Sequence, residues 1–411
     1  MTVQQKAFKS RRRYNQWVTN QTLEDFALRY TPVSARRWSA KRVVMTALSA
    51  ITFLALEAIG GALTLTYGFN YVVVAVILVS IIIFALSMPI AINAAKNGLD
   101  IDLLTRGAGF GYLGSTVTSL IYASFTFIFF ALEAAIMAMA LNMLFGLPLH
   151  FGYLIGSVVV IPLVTWGFTF ISRFQQFTQF CWLALQLLPF IFILIREHHV
   201  LQNWIDFPGF ITARDGSFDF LQLGAVCSVL LSLVSQVGEQ VDQVRFLPKP
   251  QHPARWRWYG AVIAAGPGWV VIGAIKILLG SFLAVLAFNY GLGAELASEP
   301  THMYLVAFSY VTHSSSTLLA LTGIFVVLSQ LKINVTNAYA GSIAWSNFFL
   351  RLTHRHPGRV VWLFFNVGIA LLLMELGVYR VFEDILGIYA VAATSWLGSV
   401  VADLTLNKWL K

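Results

Sequence analysis

Seven ionisable side chains interrupt the long apolar runs of this 411-residue sequence: Glu57, Glu133, Glu239, Asp242, Lys276, Lys332 and Glu375. A charge at the centre of a bilayer costs about 2.5–3.5 kcal/mol on insertion scales, so such residues face a partner or a wet cavity and mark solute or ion paths. The densest polar cluster is Leu328–Ser342, which sets Lys332, Asn334, Thr336 and Asn337 inside an apolar run. Buried opposite charges pair, which predicts Glu133 or Glu57 as the partner of Lys332. Such a pair acts either as a fixed link between helices or as a gate or proton relay. Lys276 and Glu375 lie near less polar stretches and read as packing or snorkelling residues. Phe129 and Glu133 are one helical turn apart, a ring on which a planar solute can stack and a carboxylate that can read its edge. Asn334 and Asn337 add amide donors and acceptors.

Enzyme chemistry finds no foothold, and no catalytic residue, cofactor or metal site is expected. The eight histidines fall in loops or at predicted helix ends. There is no HExxH, nucleophile elbow, phosphate-binding loop or paired intramembrane aspartate. Cys181 and Cys227 lie in apolar runs and read as small packing residues.

The elements that must position these residues are transmembrane helices. With 58% hydrophobic and 11% charged residues and a mean hydropathy of +0.74, the chain departs from the composition of soluble domains. Apolar runs of about 20 residues predict ten spans: 43–68, 70–95, 113–145, 150–171, 175–195, 220–244, 258–288, 316–349, 359–379 and 384–406. Of the 27 lysines and arginines, 22 fall on one side of this arrangement, against Arg196, Arg214 and Arg380 on the other. The positive-inside rule then puts both termini in the cytoplasm of a multi-pass inner or plasma membrane protein. The surplus of +9 is thereby a topological signal and does not point to nucleic acid. The apolar stretch 302–311 is too short to cross and predicts an interfacial or re-entrant helix. Residues 100–111 predict a short helix beneath the membrane.

Ten spans divide into two sets of five, and because five is odd the second set runs opposite to the first, which is the arithmetic of an inverted repeat. The units are a basic segment 1–42, a first repeat 43–196, an outer loop 197–219, a second repeat 220–406 and a tail 407–411. The first span of each half carries a polar, glycine-containing interruption. In the first helix it is Glu57-Ala-Ile-Gly60-Gly61, and in the sixth it runs from Ser235 through Gly238 and Glu239 to Asp242. Breaks of this kind free backbone groups for a ligand or ion; the alternative is that the glycines let neighbouring helices pack closely. The fold class is an all-α polytopic membrane protein, ten helices in a 5+5 inverted repeat with broken first and sixth helices.

Four segments resemble the nucleobase:cation symporter family, the permeases of purines, cytosine, uracil, allantoin and hydantoins, over nearly the whole chain. They are Leu23-Glu-Asp25 with Pro32 and Arg37-Trp38; Gly98 to Ser115 around Arg106; Asp242-Gln-Val-Arg245-Phe246; and Asn334-Val-Thr-Asn337. The resemblance implies a LeuT-type five-plus-five fold and alternating-access transport of a small nitrogenous heteroaromatic solute. It places the stacking ring at Phe129, the base-reading group at Glu133 and an asparagine at Asn334 or Asn337, with Leu233 where the family has a sixth-helix ring. The hydroxyl pair that completes the family's sodium site aligns with Lys332 and Ile333, so an ammonium stands in for sodium and argues against sodium coupling, leaving protons or no ion. The ion-site and gating set is Glu57, Lys332, Ile333 and Glu239; the solute set is Phe129, Glu133, Gly60, Ser235, Gly238, Asn334 and Asn337. The family usually has twelve spans, which predicts a truncated or split reading frame here. A second reading follows: a transporter-like ligand-sensing module of a sensor histidine kinase with a downstream signalling partner.

Overall fold

The computed structural model describes residues 23–25, 30–197, 199–211, 218–249, 255–355, 357–377 and 382–406. The expectations for residues 1–22, Arg214, Arg380 and the tail 407–411 lie outside the described residues. The helices run in chain order α1 (Ala40–Ser49), α2 (Ala55–Tyr67), α3 (Phe69–Asn97), α4 (Ile101–Thr105), α5 (Gly111–Phe145), α6 (Leu149–Val158), α7 (Val160–Thr165), α8 (Gly167–Arg196) and α9 (Val200–Ile205). They continue with α10 (Phe220–Leu231), α11 (Gln236–Val244), α12 (Arg255–Ala265), α13 (Trp269–Asn289), α14 (Ala294–Ala297), α15 (Pro300–Ser309), α16 (Ser315–Thr353), α17 (Arg359–Glu375) and α18 (Phe382–Leu406).

Seven helical stretches among the described residues are long and apolar enough to cross a membrane, and the chain is a multi-pass membrane protein. Helix α16, at 39 residues, is about 58 Å long at 1.5 Å per residue, nearly twice the hydrocarbon thickness. It packs most extensively on α5, and the next most extensive pair is α2 with α13. In lipid, apolar area does not drive such contacts, and close packing of small residues must. Helix α5 accordingly presents Ala131, Ala134, Ala135 and Ala138, all buried, and a side chain at Gly152 or Gly156 of α6 would run into Ala138 or Met137 of that seam.

Both broken helices are present, but the breaks are displaced from the glycines. Helix α1, N-capped by Ser39, stops at Ser49; Ala50–Leu54 is irregular, and α2 restarts at Ala55. Residues Glu57, Gly60 and Gly61 are therefore regular helix, which corrects the expected interruption. The reason is packing: a Cβ at Gly60 would enter the backbone of Ile277, and one at Gly280 would enter the backbone of Glu57. In the sixth helix the irregular turn is the 3-10 segment Ser232–Ser235 between α10 and α11. Gly238 lies inside α11, where a Cβ would meet the Tyr122 ring.

Other boundaries moved for local reasons. The turn expected near Arg173 falls instead at Trp166–Gly167, where Gly167 adopts φ +73°, and Arg173 lies inside α8. The seventh helix bends at Gly266-Pro-Gly268 between α12 and α13, since proline cannot donate to the helical ladder. The stretch 302–311 becomes α15, with Pro300 in its first turn and Glu299 as N-cap; it is packed into the protein, with Met303, Tyr304 and Phe308 buried. The short helix expected over 100–111 is α4, capped by Asp100, followed by a kink. Asp100 and Asp102 are fully buried, so this segment is tucked inward.

Candidate functional site

The break at Ala50–Leu54 exposes the start of α2, where the first N–H groups of a helix have no intrahelical partner and carry its positive dipole end. Ala55 N–H donates to Glu133 Oε1 at 3.3 Å. Glu133 comes from the middle of α5, is fully buried, and its Oε2 has no hydrogen-bond partner. Two further bonds tie the break to α16: Thr52 Oγ1 donates to the Ser329 carbonyl at 2.9 Å, and Leu54 N–H to Gln330 Oε1 at 3.4 Å. Phe53 points from the same break at Phe129, edge to face at 6.3 Å and 87°. Phe125 lies 4.5 Å from Phe129 on its own helix and 6.3 Å from Tyr389 of α18. Phe129, Glu133 and the first break thus converge, with Phe53 as a member of the group that the sequence did not single out.

The sixth-helix break faces the same helix from another side. Ser235 shares a 2.6 Å hydrogen bond with Tyr389, whose hydroxyl also donates to the Ile121 carbonyl on α5. Leu233 is buried in the same core cluster as Phe129 and Trp269. On α16, Asn334 Nδ2 donates to the Phe130 carbonyl at 3.3 Å, and Asn337 Nδ2 donates to Asn334 Oδ1 at 3.2 Å. The two asparagines bind α16 to α5 one residue beyond Phe129. Ile333 is buried in the core.

The charge pairing departs from the sequence expectation. Lys332 meets neither Glu133 nor Glu57; its ammonium donates to the Gln175 carbonyl and to Thr178 Oγ1, both at 3.0 Å on α8. Gln175 returns a bond to the Lys332 carbonyl at 2.7 Å. Three neutral groups of α8 thus hold α16 through its buried lysine. Glu57 is paired instead by Lys276 of α13, at 2.7 Å from Nζ to Oε1, with Tyr304 of α15 donating to the same oxygen at 3.0 Å. Lys276 is buried and is therefore an ion-pair residue, which corrects its reading as a snorkelling one. Its Nζ lies 5.4 Å over the Trp182 ring, and Trp182 donates to Ser329 Oγ at 2.9 Å. A chain of contacts therefore runs from Glu57 through Lys276 and the face of Trp182 to Ser329, whose carbonyl accepts from Thr52. Glu375 sits near the rim, 2.5 Å from His150.

A second buried cluster joins two of the segments that carried the family resemblance, Gly98–Ser115 and Asp242–Phe246. Arg245 Nη1 lies 3.7 Å from Asp100 and 4.0 Å from Asp242, and Nη2 donates to Tyr339 at 3.3 Å. Tyr122 donates to Asp242 at 3.0 Å. Asp102 accepts from Ser119 at 2.6 Å and from Asn347, while Arg351 donates to Ser119 at 2.7 Å. Glu239 accepts from Gln236 at 2.8 Å and so belongs to α11 itself. The N-terminal stretch is clamped nearby: Asp25 accepts from the Arg359 backbone, and Arg359 donates to the carbonyls of Leu23, Val164 and Thr165.

No protein-family model matches the chain, and no curated protein matches it in sequence. Solved structures do match in architecture. Mhp1, a nucleobase-cation-symport-1 family transporter in a closed conformation with bromovinylhydantoin bound, superposes with TM-score 0.68 at 16% identity, covering 92% of this chain and 80% of that one. The inward-facing conformation of Mhp1 gives 0.60 at 19% identity, over 88% and 76%. A substrate-bound, outward-open Na+-coupled sialic acid symporter gives 0.67 at 12% identity, over 95% and 83%. This chain shares the fold of Mhp1 and of the sialic acid symporter.

The residues that sequence reasoning missed are Thr52, Phe53, Gln175, Tyr304 and Gln330, while Lys276 was named but read as a packing or snorkelling residue. Most are single polar residues in apolar helices, visible in composition but without a partner until the helices are packed. Phe53 had no signal, being one of 33 phenylalanines.

Proposed function

We propose that this chain is a secondary transporter that moves a small, neutral, nitrogenous heteroaromatic solute by alternating access, with ten transmembrane helices in a 5+5 inverted repeat (43–196 and 220–406, joined by 197–219) and both termini cytoplasmic. The observation that carries this reading is the restart of the first helix at Ala55, its leading N–H directed at Glu133 on the helix that also presents Phe129. A half-helix N-terminus beside a stacking ring and a carboxylate with a spare acceptor atom can bind the edge and face of a planar solute. The solute is neutral or donor-rich because Glu133 already supplies the negative charge that an anionic ligand would bring to that terminus. Phe53 fills the space at the Phe129 ring and must swing aside to admit a second ring. The fold likeness to a transporter with bromovinylhydantoin bound supports a small nitrogen heterocycle as the solute.

We infer that coupling does not use sodium, because the Lys332 side chain takes the position on α16 where the resemblance aligns a sodium-binding hydroxyl and is bonded there to the Gln175 carbonyl and Thr178 of α8. The test is a thermal-shift panel of hydantoins, purines and pyrimidines on the purified protein, repeated with Glu133→Gln and Phe129→Leu, followed by uptake into proteoliposomes. A compound that stabilises the wild type and loses most of its effect in both variants, and that then accumulates saturably, supports the reading. Stabilisation untouched by both substitutions would move the site elsewhere.

A further inference from the structure

We propose that Glu57, Glu133 and Lys276 form a proton-binding site in which two carboxylates and one ammonium share a single exchangeable proton. All three are at most 2% exposed and come from different helices, α2, α5 and α13. Lys276 and Tyr304 both bond to Glu57 Oε1, leaving Glu57 Oε2 without a partner. Glu133 Oε1 takes the Ala55 N–H, and its Oε2 is likewise without a partner. Glu133 meets the same half-helix at Ala55, two residues before Glu57. With both carboxylates ionised the group carries a net negative charge in a buried, low-dielectric setting. One proton makes it neutral, and a buried uncompensated charge is what protein interiors avoid.

Among the described residues no other charged side chain is bonded to this group. The groups that face Glu57 are Lys276 and the Tyr304 hydroxyl, itself held by Gln186 at 2.7 Å. Glu133 is faced by the Ala55 amide and the Gln330 side chain. Lys276 is faced by the Trp182 ring. Lys332, two residues beyond Gln330, turns to α8. The proton enters from water onto a carboxylate oxygen and leaves to water from it, with no other bond made or broken. Ala55 and Glu57 both ride on α2, so a displacement of that half-helix breaks the Glu133 contact and the Lys276 contact together and changes which state of the site is favoured. This site draws its charged groups from the first, third and seventh helices and does not use Lys332 or Ile333, the residues at which the family resemblance aligns the sodium site.

Its use in coupling rests on the transport reading above; the proton itself can be measured without a substrate. Infrared difference spectra of the protein in lipid bilayers, titrated with pH in H2O and D2O, should show a protonated-carboxyl band that shifts on deuteration. The band should be lost in Glu133→Gln or in Glu57→Gln. Lys276→Met, which removes the ammonium, should raise its intensity roughly twofold, because neutrality then requires both carboxylates protonated. The proposal is overturned if no such band appears, if neither glutamine substitution alters it, or if replacing choline chloride with sodium chloride abolishes it, which would make this a metal-cation site. A missing band with saturable uptake would sink the proton site alone. A band with these properties but no uptake of any panel compound would sink the transport reading alone.

Discussion

Gly280 of α13 lies so close to the backbone of Glu57 in α2 that a Cβ there would enter it, and that contact brings Lys276, one turn before Gly280, within 2.7 Å of Glu57. On the facing helix Gly60 meets the Ile277 backbone in the same way. The crossing of two small-residue surfaces and the buried ion pair are one feature: the glycines set the distance and the charges are placed at it.

Gly280→Ala should therefore disturb more than a single methyl suggests. Overpacking of a tight contact costs about 1–3 kcal/mol, and here the backbone cannot retreat without stretching the Glu57–Lys276 bond. Thermal unfolding in detergent should show a loss in that range. Gly224→Ala, where an added Cβ meets nothing within 4 Å, should leave the transition near the wild-type value.

Breaking the ion pair from one side should be worse than removing it altogether. Glu57→Gln or Lys276→Met alone takes one member from the buried 2.7 Å Glu57–Lys276 bond and should cost about 1–3 kcal/mol, the range for a buried group left without its partner, while the double variant should recover a large part of that loss. A double-mutant cycle on the unfolding free energy checks this. Additive losses would mean that the two side chains act independently.

Lys332 should behave as a tie between α16 and α8. Lys332→Met removes the donor to the Gln175 carbonyl and Thr178 and should cost about 1–3 kcal/mol, the range for a lost buried hydrogen-bonding group. Solute uptake by the wild type should be unchanged when a sodium gradient is imposed, and a steep sodium dependence in proteoliposomes would overturn the role given to this lysine.

Outside the membrane-spanning helices, the His302 imidazole has its pKa raised above the ordinary 6.5, first by its bond to Glu299. Because the folded value lies above the unfolded one, the contribution is fully present below pH 6.5 and fades as pH rises through the folded value. The side chain is 38% exposed, so the effect is small. Stability of the wild type should fall slightly from mildly acid to mildly alkaline pH, and His302→Gln should flatten that part of the curve.

Removing the Phe53 ring should weaken the packing at the first break and open the face of Phe129. Phe53→Ala should cost about 3–5 kcal/mol, the usual range for a buried Phe→Ala change, and should enlarge the set of ring systems that stabilise the protein in a thermal-shift panel. An unaltered panel response would show that Phe53 is not in the solute's way.

Sequence alone determined the class of this protein. A bilayer leaves helices as the structure in which every backbone group is satisfied within its own segment, so long apolar runs marked a multi-pass helical protein, of which seven helical stretches among the described residues are long and apolar enough to cross, and Glu133 on α5 and the polar cluster on α16 were visible as anomalies. Helical spacing also put Phe129 and Glu133 on one face. Only the tertiary structure decided which charge meets which. Lys332 and Lys276 are alike in sequence, single lysines in apolar helices, yet one turns to the Gln175 carbonyl and Thr178 hydroxyl of α8 and the other to Glu57, because the Gly60–Gly280 crossing brings α2 to α13. The breaks shifted for the same reason: glycine at a helix crossing is a packing residue, and the chain opens instead at Ala50–Leu54 and Ser232–Ser235. Pairing and break position depend on distances between segments more than 200 residues apart in the chain, and those distances exist only once the helices are packed.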